Sequence, residues 1–319
     1  KRANQLPQHL DKRDVMDRRE FLKCIPGGII MLSASPLLMA KPKGRKVRFG
    51  VITDLHYADI ETKGSRYYRD SLAKMREAME HFNNSDLDFI IELGDMKDQA
   101  PGGNAGSTLE YLDAIENEFS KFRGPVYHVL GNHDMDCLSK EEFLAHAQSH
   151  GKAKGKAYYA FTVKGMRFIV LDANHNKDMS PYCRGNFKWT SAWIPEEQKE
   201  WLRSELKANA ERPVVVFIHQ LLDSFSDISR KVCVGNADEI RDILEQHGQV
   251  LAVFQGHHHP GHYSRKSGIH YVTLKGAIEG PWPDRNSFAI VEARPDGSMK
   301  LEGWKDCPDM QLYRQKDNI

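Results

Sequence analysis

Cysteine is scarce in this sequence, and its placement argues against two classes of protein. The 319 residues include five cysteines, Cys24, Cys137, Cys183, Cys233 and Cys307, and no two of them form a C-x-x-C pair. Zinc knuckles and disulfide-dense domains both require closely spaced cysteines. Both classes are therefore disfavoured. Whether one disulfide forms among the last four cysteines is not decided by the sequence.

An excess of charge of one sign is also lacking. Lys plus Arg number 45 and Asp plus Glu number 44, which gives a formal net charge of +1. The sequence has no basic stripe interleaved with aromatic residues, which is the pattern of proteins that bind long nucleic acids. We therefore expect no nucleic-acid polymer as a partner, and any binding of phosphate has to be local. Nothing in the composition implies a protein partner.

Histidine, in contrast, is concentrated at one place. The segment "VLAVFQGHHHPGH" carries His257, His258 and His259 directly after a run of β-favouring residues. One interpretation is chance clustering on a solvated loop, since the chain has 15 histidines. The other is a metal site, because neutral imidazole is the commonest metal ligand in proteins. A metal site requires further ligands elsewhere in the chain.

The amino-terminal segment differs from the rest of the chain. Within residues 16–45, Arg18 and Arg19 precede an uncharged apolar stretch over residues 24–40. This resembles a twin-arginine export signal, and the stretch is short for a membrane span. It predicts export to the periplasm or the extracellular space without stable membrane insertion after signal cleavage. A retained anchor and an amphipathic arm are the alternatives, and residues 1–15 are predicted to be a disordered upstream leader.

The remaining chain alternates strand-like and helix-like segments, which predicts an α/β fold. Helices are expected over 66–82, 107–122, 195–210 and 236–248, where apolar residues recur at helical spacing. Strands are expected around residues 46–52, 87–93, 125–130, 166–172, 213–219, 250–256, 268–274, 287–293 and 298–304. No repeat or linker divides this region, so we predict one domain over 46–306 and a tail over 307–319.

Five of the predicted strands end in polar clusters. In α/β sheets the loops at the carboxyl ends of parallel strands converge and form ligand sites. The candidate donors at these ends are Asp54, His56, Asp95, Asn132, His219, His257 and His259. Their imidazole, carboxylate and amide groups, without thiolate, suit borderline or hard ions such as manganese, iron, zinc or magnesium better than a soft metal. Seven donors are enough for two divalent ions if one carboxylate bridges, an arrangement that recurs in phosphoryl transfer.

The three neighbouring histidines are expected to divide between two roles. In an extended segment, successive side chains point in opposite directions. His257 and His259 are then predicted to share a face and to bind metal, and His258 to pack or to face solvent. His128, on the strand before "GNHD", is interpreted as a structural histidine.

The order of these motifs, "DLH", "GDMKD", "GNHD", His219 and "GHHH", resembles the calcineurin-like metallophosphoesterase superfamily. The resemblance implies a four-layer α-β-β-α sandwich of two mixed sheets, and hydrolysis by attack of a metal-bridging hydroxide on phosphorus. It also implies the distribution of the ligands. One metal takes Asp54, His56 and His259, the other takes Asn132, His219 and His257, and Asp95 bridges. His133 is implied as a catalytic acid or phosphate contact that Asp98 or Asp134 orients.

A narrower resemblance covers residues 47–304. The segments "FGVITDLHYAD", "RYYRDSL", "VCVGNADEIRD" and "VTLKGAIEG" are similar to the manganese-dependent ADP-ribose/CDP-alcohol diphosphatases, which implies Arg69 as a phosphate contact. Arg69 can also be read as the solvated start of a helix. Asn236 is interpreted first as a helix N-cap and second as a substrate contact. The chain departs from this branch at His56, where glutamine is usual, and at Asp134, where glutamate is usual.

Three functions follow from these observations. The first is a binuclear-metal hydrolase of phosphate esters or nucleoside diphosphate linkages with a small phosphorylated or nucleotide substrate. The alternatives are a general phosphomonoesterase or phosphodiesterase of the same superfamily and a non-catalytic metal-binding scaffold. A nuclease acting on long polymers is disfavoured by the balanced charge.

Overall fold

The computed structural model describes residues 45–313, which form twelve strands and five α-helices. The predicted leader and export signal lie outside these residues. The strands are β1 Val47–Ile52, β2 Phe89–Glu92, β3 Val126–His128, β4 Tyr159–Val163, β5 Met166–Val170, β6 Val214–Phe217, β7 Val250–Gln255, β8 His262–Lys266, β9 Ile269–Thr273, β10 Ser287–Ala293, β11 Met299–Lys305 and β12 Met310–Leu312. The helices are α1 Ser71–Asn83, α2 Ala105–Phe119, α3 Lys140–His146, α4 Glu196–Ala208 and α5 Ala237–Glu245.

Two six-stranded sheets contain all of these strands. The first has the order β12-β11-β10-β1-β2-β3, and the second has the order β4-β5-β6-β7-β9-β8. Strands β1, β2 and β3 are parallel, as are β5, β6, β7 and β9, while every other pairing is antiparallel. Both sheets are therefore mixed, and the predicted α/β fold class is confirmed.

Three apolar clusters separate four layers. One lies between the two sheets, where Phe49 stacks on Phe89 at 5.0 Å and meets Phe168, Phe217 and Phe254 edge-on. A second packs α1, α2 and α3 on the outer face of the first sheet, and a third packs α4 and α5 on the second sheet. Each fully buried phenylalanine contributes roughly 1.5–3 kcal/mol by leaving water. The resulting order of layers is α-β-β-α.

The predicted helices coincide with four of the five observed ones. In α1 the apolar face is formed by Met75, Met79 and Phe82, which are fully or almost fully buried. Helix α3 was not expected from periodicity because it has only seven residues. It begins with a capping box in which the Ser139 hydroxyl accepts from the Glu142 amide and the Glu142 carboxylate accepts from the Ser139 amide.

Three strands and the end of the domain differ from expectation. Strands β4, β8 and β12 were not predicted, because each lies at a sheet edge and lacks the continuous apolar run of a central strand. Strand β12 pairs with β11 beyond residue 306, so the folded region extends into the segment expected to be a tail.

The four described cysteines are all free. None of the helices between residues 45 and 313 is both long and apolar enough to cross a bilayer.

Candidate metal centre

The predicted donors meet where the two sheets present the carboxyl ends of their parallel strands. Asp54 and His56 follow β1, Asp95 follows β2, and Asn132 follows β3. His219 follows β6, and His257 and His259 follow β7. Because the strands of each sheet run in the same direction here, their loops lie at one edge of the sandwich. Each sheet thus supplies part of the site.

Two groups of donors form within this edge. In the first, the Nε2 atoms of His56 and His259 lie 3.1 Å apart, and Asp54 Oδ1 lies 3.3 Å from His259 Nε2. In the second, Asp95 Oδ2 lies 3.2 Å from His219 Nε2, and His257 completes the group. Within each group the donor atoms all lie within 4.8 Å of one another. Each group is compact enough to bind one divalent ion.

Asp95 lies between the two groups. Its Oδ2 atom is 3.2 Å from His219 Nε2 and 3.6 Å from His56 Nε2, which belong to different groups. Its Oδ1 atom accepts a hydrogen bond of 2.7 Å from the backbone amide of His133, which fixes the loop that carries Asn132. A carboxylate in this position can bridge two ions.

Buried donor atoms without hydrogen-bond partners show that these residues fit a metal. They include Asp54 Oδ1, Asn132 Oδ1, His219 Nε2 and His257 Nε2. An unpaired buried polar atom costs about 1–3 kcal/mol, so several at one place require a ligand. Oxygen and imidazole donors are those preferred by manganese, zinc and iron. The predicted ligand set therefore fits a pair of divalent ions.

Two glycines in the motifs allow the loops to approach so closely. A Cβ atom on Gly131 would overlap the backbone nitrogen of Asp95. A Cβ atom on Gly256 would overlap the hydroxyl of Thr53 and would lie 2.8 Å from Asp54 Oδ2. Glycine is required at both positions because the backbone of one loop contacts the ligand of another.

Hydrogen bonds to the distal atoms of the donors orient them. His219 Nδ1 pairs with the carbonyl oxygen of Leu93 at 2.8 Å, which leaves Nε2 free for the site. His259 Nδ1 pairs with Glu279 Oε1 at 2.6 Å, which directs its Nε2 inward. Such partners fix the tautomer and the ring orientation of metal-binding histidines. Glu279 was not singled out from the sequence, although it lies in the segment "VTLKGAIEG", because nothing in that segment indicates its contact with His259.

His133 lies beside the site between two carboxylates. Its Nδ1 atom is 3.3 Å from Asp98 Oδ1 and 3.7 Å from Asp136 Oδ2. Asp136 is held in turn by the buried ammonium group of Lys97 at 2.5 Å. The structure therefore places Asp98 where it can orient His133, and it adds Asp136 and Lys97, which sequence reasoning missed.

Asp134 has a different position from the one expected. Its carboxylate is fully buried and accepts hydrogen bonds from the backbone amides of Gly131, Asp95 and Met96. These contacts join the loops after β2 and β3. Asp134 therefore organises the backbone of two ligand loops, and its hydrogen bonds do not involve the His133 ring.

The pKa values of the site reflect dense packing of opposite charges. Although burial opposes the shift, His259 and His56 hold the pKa of Asp54 well below its usual range. Burial also opposes protonation of His219, but Asp95 raises its pKa to about 9. Burial lowers the pKa of His257 to about 3, and the neighbouring His219 acts in the same direction. Burial opposes protonation of His133, but Asp95, Asp136 and Asp98 raise its pKa well above the usual value.

The triple histidine does not have the extended backbone on which its interpretation was based. His257 has φ of +64°, which is a left-handed conformation, so the simple alternation of side chains fails. His257 and His259 consequently enter different donor groups instead of sharing one face. His258 is half-buried, and its amide donates to the carbonyl oxygen of Gly256.

The two residues predicted to contact substrate, Arg69 and Asn236, contact other residues of the chain. Arg69 is exposed and forms ion pairs with Asp59 at 2.5 Å and Glu61 at 2.6 Å. Asn236 is buried at the start of α5 but makes no capping bond, and its amide group exchanges two hydrogen bonds with the backbone of Ile194. Their contacts with substrate stay predictions.

Two unexpected side chains lie beside the donors. Arg66 forms an isolated β-bridge with Glu279, the partner of His259, and among residues 45–313 no carboxylate lies within ion-pair distance of Arg66. The indole ring of Trp189 lies 6.0 Å from the His257 ring and is 51% exposed. Neither was singled out from the sequence, because an arginine three residues before Arg69 and a tryptophan in a loop carry no local signal.

Comparisons with known proteins identify the family and the fold of this chain. The family model described as calcineurin-like phosphoesterase matches residues 47–261. A protein of Arabidopsis thaliana named manganese-dependent ADP-ribose/CDP-alcohol diphosphatase is 31% identical over 296 residues, covering 80% of this chain and 93% of that protein. The Homo sapiens protein of that name is 28% identical over 338 residues, covering 89% and 97%. A solved dimetal phosphatase from Danio rerio has a TM-score of 0.72 at 22% identity, covering 84% of this chain and 99% of that one, which is a likeness of fold.

Proposed function

The chain belongs to the calcineurin-like phosphoesterase family and is a metal-dependent phosphoester hydrolase, and from that premise we propose that it cleaves nucleoside diphosphate linkages of the ADP-ribose or CDP-alcohol type. The observation that carries this proposal is the convergence of buried, unpaired donor atoms in two groups that share Asp95. The names of the curated relatives supply the substrate class and point to manganese.

In this proposal Asp54, His56 and His259 hold one ion, and Asn132, His219 and His257 hold the other. The shared position of Asp95 supports its role as the bridging ligand. Ions bound there would lower the pKa of a bound water molecule and would stabilise the charge on phosphoryl oxygens. The remaining steps depend on side chains of the chain itself.

His133 is the proton donor in the proposed reaction. Its side chain is 30% exposed, so it can reach a substrate, and it borders the donor groups with ring centroids 4.7 Å from His56. The carboxylates of Asp98 and Asp136 lie 3.3 and 3.7 Å from its Nδ1 atom, so we assign donation of the proton to Nε2. A leaving oxygen that is strongly basic takes a proton from this histidine as its bond to phosphorus breaks.

Arg66 and Trp189 are proposed to bind the two ends of the nucleotide. Arg66 is bridged to Glu279, which pairs with His259, and a guanidinium binds phosphate oxygens bidentately. Trp189 presents an exposed indole beside His257, and an indole ring stacks on nucleobases. Together they favour a nucleotide over a simple phosphate monoester.

Replacement of Trp189 tests the substrate class. We expect Trp189→Ala to raise the KM for ADP-ribose about tenfold, because base stacking contributes roughly 1–3 kcal/mol. Trp189→Phe should restore most of the affinity. Hydrolysis of 4-nitrophenyl phosphate, which has no nucleobase, serves as the control and should be unchanged. A wild-type enzyme that prefers 4-nitrophenyl phosphate to ADP-ribose and CDP-glycerol would instead indicate a general phosphomonoesterase.

Export through the twin-arginine route is part of the same proposal. The support is the paired Arg18 and Arg19 before an apolar stretch, in a chain whose metal centre needs a folded scaffold before loading. Cell fractionation of an Arg18→Lys, Arg19→Lys double variant should find the protein retained in the cytoplasm. Unchanged export of this variant would contradict the proposed localisation in the periplasm or outside the cell.

A further inference from the structure

One cavity adjoins the metal centre at His259, and a second cavity adjoins the first. The first, called the vestibule below, has a volume of 400 Å³ and is bounded by Ser65, His259, Pro260, Lys275, Glu279 and Arg285. The second, called the apolar pocket, has a volume of 240 Å³ and is lined by Val272, Leu274, Leu301, Cys307 and Met310. Pro260 and Lys275 border both cavities, so they share a wall.

The apolar pocket is an opening into the space between the sheets. Val272 belongs to β9 of the second sheet, whereas Leu301 and Met310 belong to β11 and β12 of the first. Val272 and Leu301 are part of the apolar cluster between the sheets, and the partly buried Met310 packs against it. The turn at Pro260 and Gly261 directly follows His259, so the loop that presents a metal ligand also forms the pocket wall.

Lys275 places a positive charge at the shared wall. Its side-chain stem packs against the backbone of Gly261, and its ammonium group has no ion-pair partner among residues 45–313. The other charged groups of the vestibule are engaged, Glu279 with His259 at 2.6 Å and Arg285 with Asp306 at 2.8 Å. A lysine with an apolar stem and an available charge suits the junction of a phosphate with an apolar group.

The mouth of the apolar pocket remains open to solvent. Tyr263 lines it and is 42% exposed, while Leu301 and Val272 at its base are almost fully buried. An apolar opening of this kind is unfavourable in water, and an apolar group that fills it gains the corresponding free energy. A volume of 240 Å³ corresponds to about eight groups of water size.

We propose that the preferred substrate is a nucleoside diphosphate ester whose alcohol carries an apolar segment, and that this segment lies in the apolar pocket. The inference rests on the proposed function. Trp189 lies against His257 of one donor group, and the vestibule lies against His259 of the other. A diphosphate bound across both groups therefore directs its nucleobase toward Trp189 and its alcohol toward Lys275 and the pocket.

The reaction on such a substrate is a simple hydrolysis. A water oxygen bonds to one phosphorus and the P–O–P bond breaks, with its electron pair remaining on the departing phosphate. The hydroxyl of the water stays on the attacked phosphorus and the other water proton goes to the departing phosphate oxygen, so the products are a nucleoside monophosphate and an alkyl phosphate. The apolar pocket contributes by binding the alkyl part of the substrate.

A series of CDP esters of ethanol, butanol, hexanol and octanol tests the inference with the manganese-loaded enzyme. We expect kcat/KM to be about tenfold or more higher for the octyl than for the ethyl ester, since each buried methylene adds affinity. Met310→Trp, which fills the pocket, should abolish this preference. Met310→Leu, which conserves the apolar volume, should retain it.

Calorimetric binding of ethyl phosphate and octyl phosphate gives a readout that does not depend on turnover. In the wild type we expect octyl phosphate to bind about tenfold more tightly than ethyl phosphate and with a more negative heat capacity change. In Met310→Trp the two compounds should bind equally. Equal binding and equal hydrolysis of short and long chains would overturn the inference while leaving the proposed function intact. Chain-length-dependent binding without hydrolysis of any CDP ester would overturn the proposed function instead.

Discussion

Left-handed backbone carries four of the seven proposed metal ligands. The φ angles of Asp54, His56, Asp95 and His257 lie between +46° and +64°. Such conformations cost of order 1–3 kcal/mol each in non-glycine residues and are found where the surroundings fix them. Here the backbone amides of Asp54 and His56 bond to the loop after β2 at 3.0 and 2.8 Å. This strained backbone brings together the side chains of the loops that follow β1 and β2.

The position of His133 predicts a loss of activity that depends on the leaving group. His133→Ala should slow hydrolysis of an alkyl phosphate by about 100-fold to 10,000-fold, because an alkoxide leaves poorly without a proton. Hydrolysis of 4-nitrophenyl phosphate should fall much less, since nitrophenolate needs no such help. Steady-state kcat values for both substrates, measured at equal metal content, check this prediction.

Asp95→Ala provides the control for His133. This substitution removes the carboxylate shared by the two donor groups, so it should slow both substrates together and lower the bound metal. Equal losses for both substrates in His133→Ala would indicate that His133 positions phosphate or stabilises charge instead of donating a proton.

The two arginines of the "RYYRD" segment offer a matched comparison. Arg66→Gln should raise the KM for ADP-ribose about tenfold or more, because Arg66 adjoins Glu279 at the site and a charge-assisted hydrogen bond from its guanidinium to phosphate is worth roughly 1.5–3 kcal/mol. Arg69→Gln removes the same charge from an exposed pair with Asp59 and Glu61, and should change the KM less than twofold. A larger rise in KM for Arg69→Gln than for Arg66→Gln would indicate that Arg69 is the phosphate contact.

At the scale of elements, one buried ion pair ties helix α3 to the second sheet. Lys140 in α3 donates at 2.5 Å to Asp172, which follows β5 and is almost completely buried. The amide and side chain of Asn174 also donate to Asp172 at 2.9 Å. Burial opposes ionisation, but Lys140 holds the pKa of Asp172 below its usual value. The pair therefore stabilises the fold only while Asp172 is ionised.

A pH dependence of stability follows from this pair. Because the pKa of Asp172 is lower in the folded chain than the unfolded value near 4, its contribution is complete above roughly pH 5 and is lost as the pH falls through the folded value. Asp172→Asn should cost about 3–5 kcal/mol at pH 7. The difference from the wild type should shrink toward pH 3.

Urea unfolding of both forms at pH 7, 5, 4 and 3, with chelator present throughout, measures this effect. Chelation removes the separate influence of pH on metal binding. A difference between wild type and Asp172→Asn that stays constant over the whole range would show that Asp172 stabilises the fold through packing and not through its charge.

At the scale of the whole molecule, the donors come from both sheets and meet at one edge. Asp54 and Asp95 lie on loops of the first sheet, whereas His219 and His257 lie on loops of the second. Ions bound among them link the two sheets at this edge. Ligands that bind only the folded state stabilise it by about 2.7 kcal/mol at 100 times their dissociation constant.

Metal removal should therefore lower thermal stability and abolish activity together. We expect a chelator to reduce the Tm by about 5–10 °C, and manganese to restore it. Elemental analysis of the reloaded protein should give about two ions per chain. Differential scanning calorimetry on Asp95→Ala serves as the control, since its Tm should respond little to manganese. One ion or none per chain after loading would contradict the binuclear site.

The sequence by itself determined the family, the class of reaction and most of the central strands. These features are local, because each motif directly follows an apolar strand, and the carboxyl end of a parallel strand is the place where ligand loops converge. The order from Asp54 to His259 is therefore visible without any structure. The amphipathic helices α1, α2, α4 and α5 are local for the same reason, since their apolar spacing repeats within a few turns.

Only the tertiary structure decided which side chains surround the metal ligands. Arg66, Trp189, Glu279 and Asp136 adjoin the site through contacts that no motif indicates. Arg69 forms ion pairs with Asp59 and Glu61, and this pairing is not evident from the sequence. The edge strands β4, β8 and β12 also depend on partners distant in sequence. The backbone at His257 is left-handed, and its amide donates a hydrogen bond of 3.0 Å to the carboxylate of Asp54. Asp54 lies on a loop of the other sheet, so this conformation depends on contact between the two sheets. Spatial proximity of this kind has no signature in the spacing of residues along the chain, because it is created by the packing of one sheet against the other.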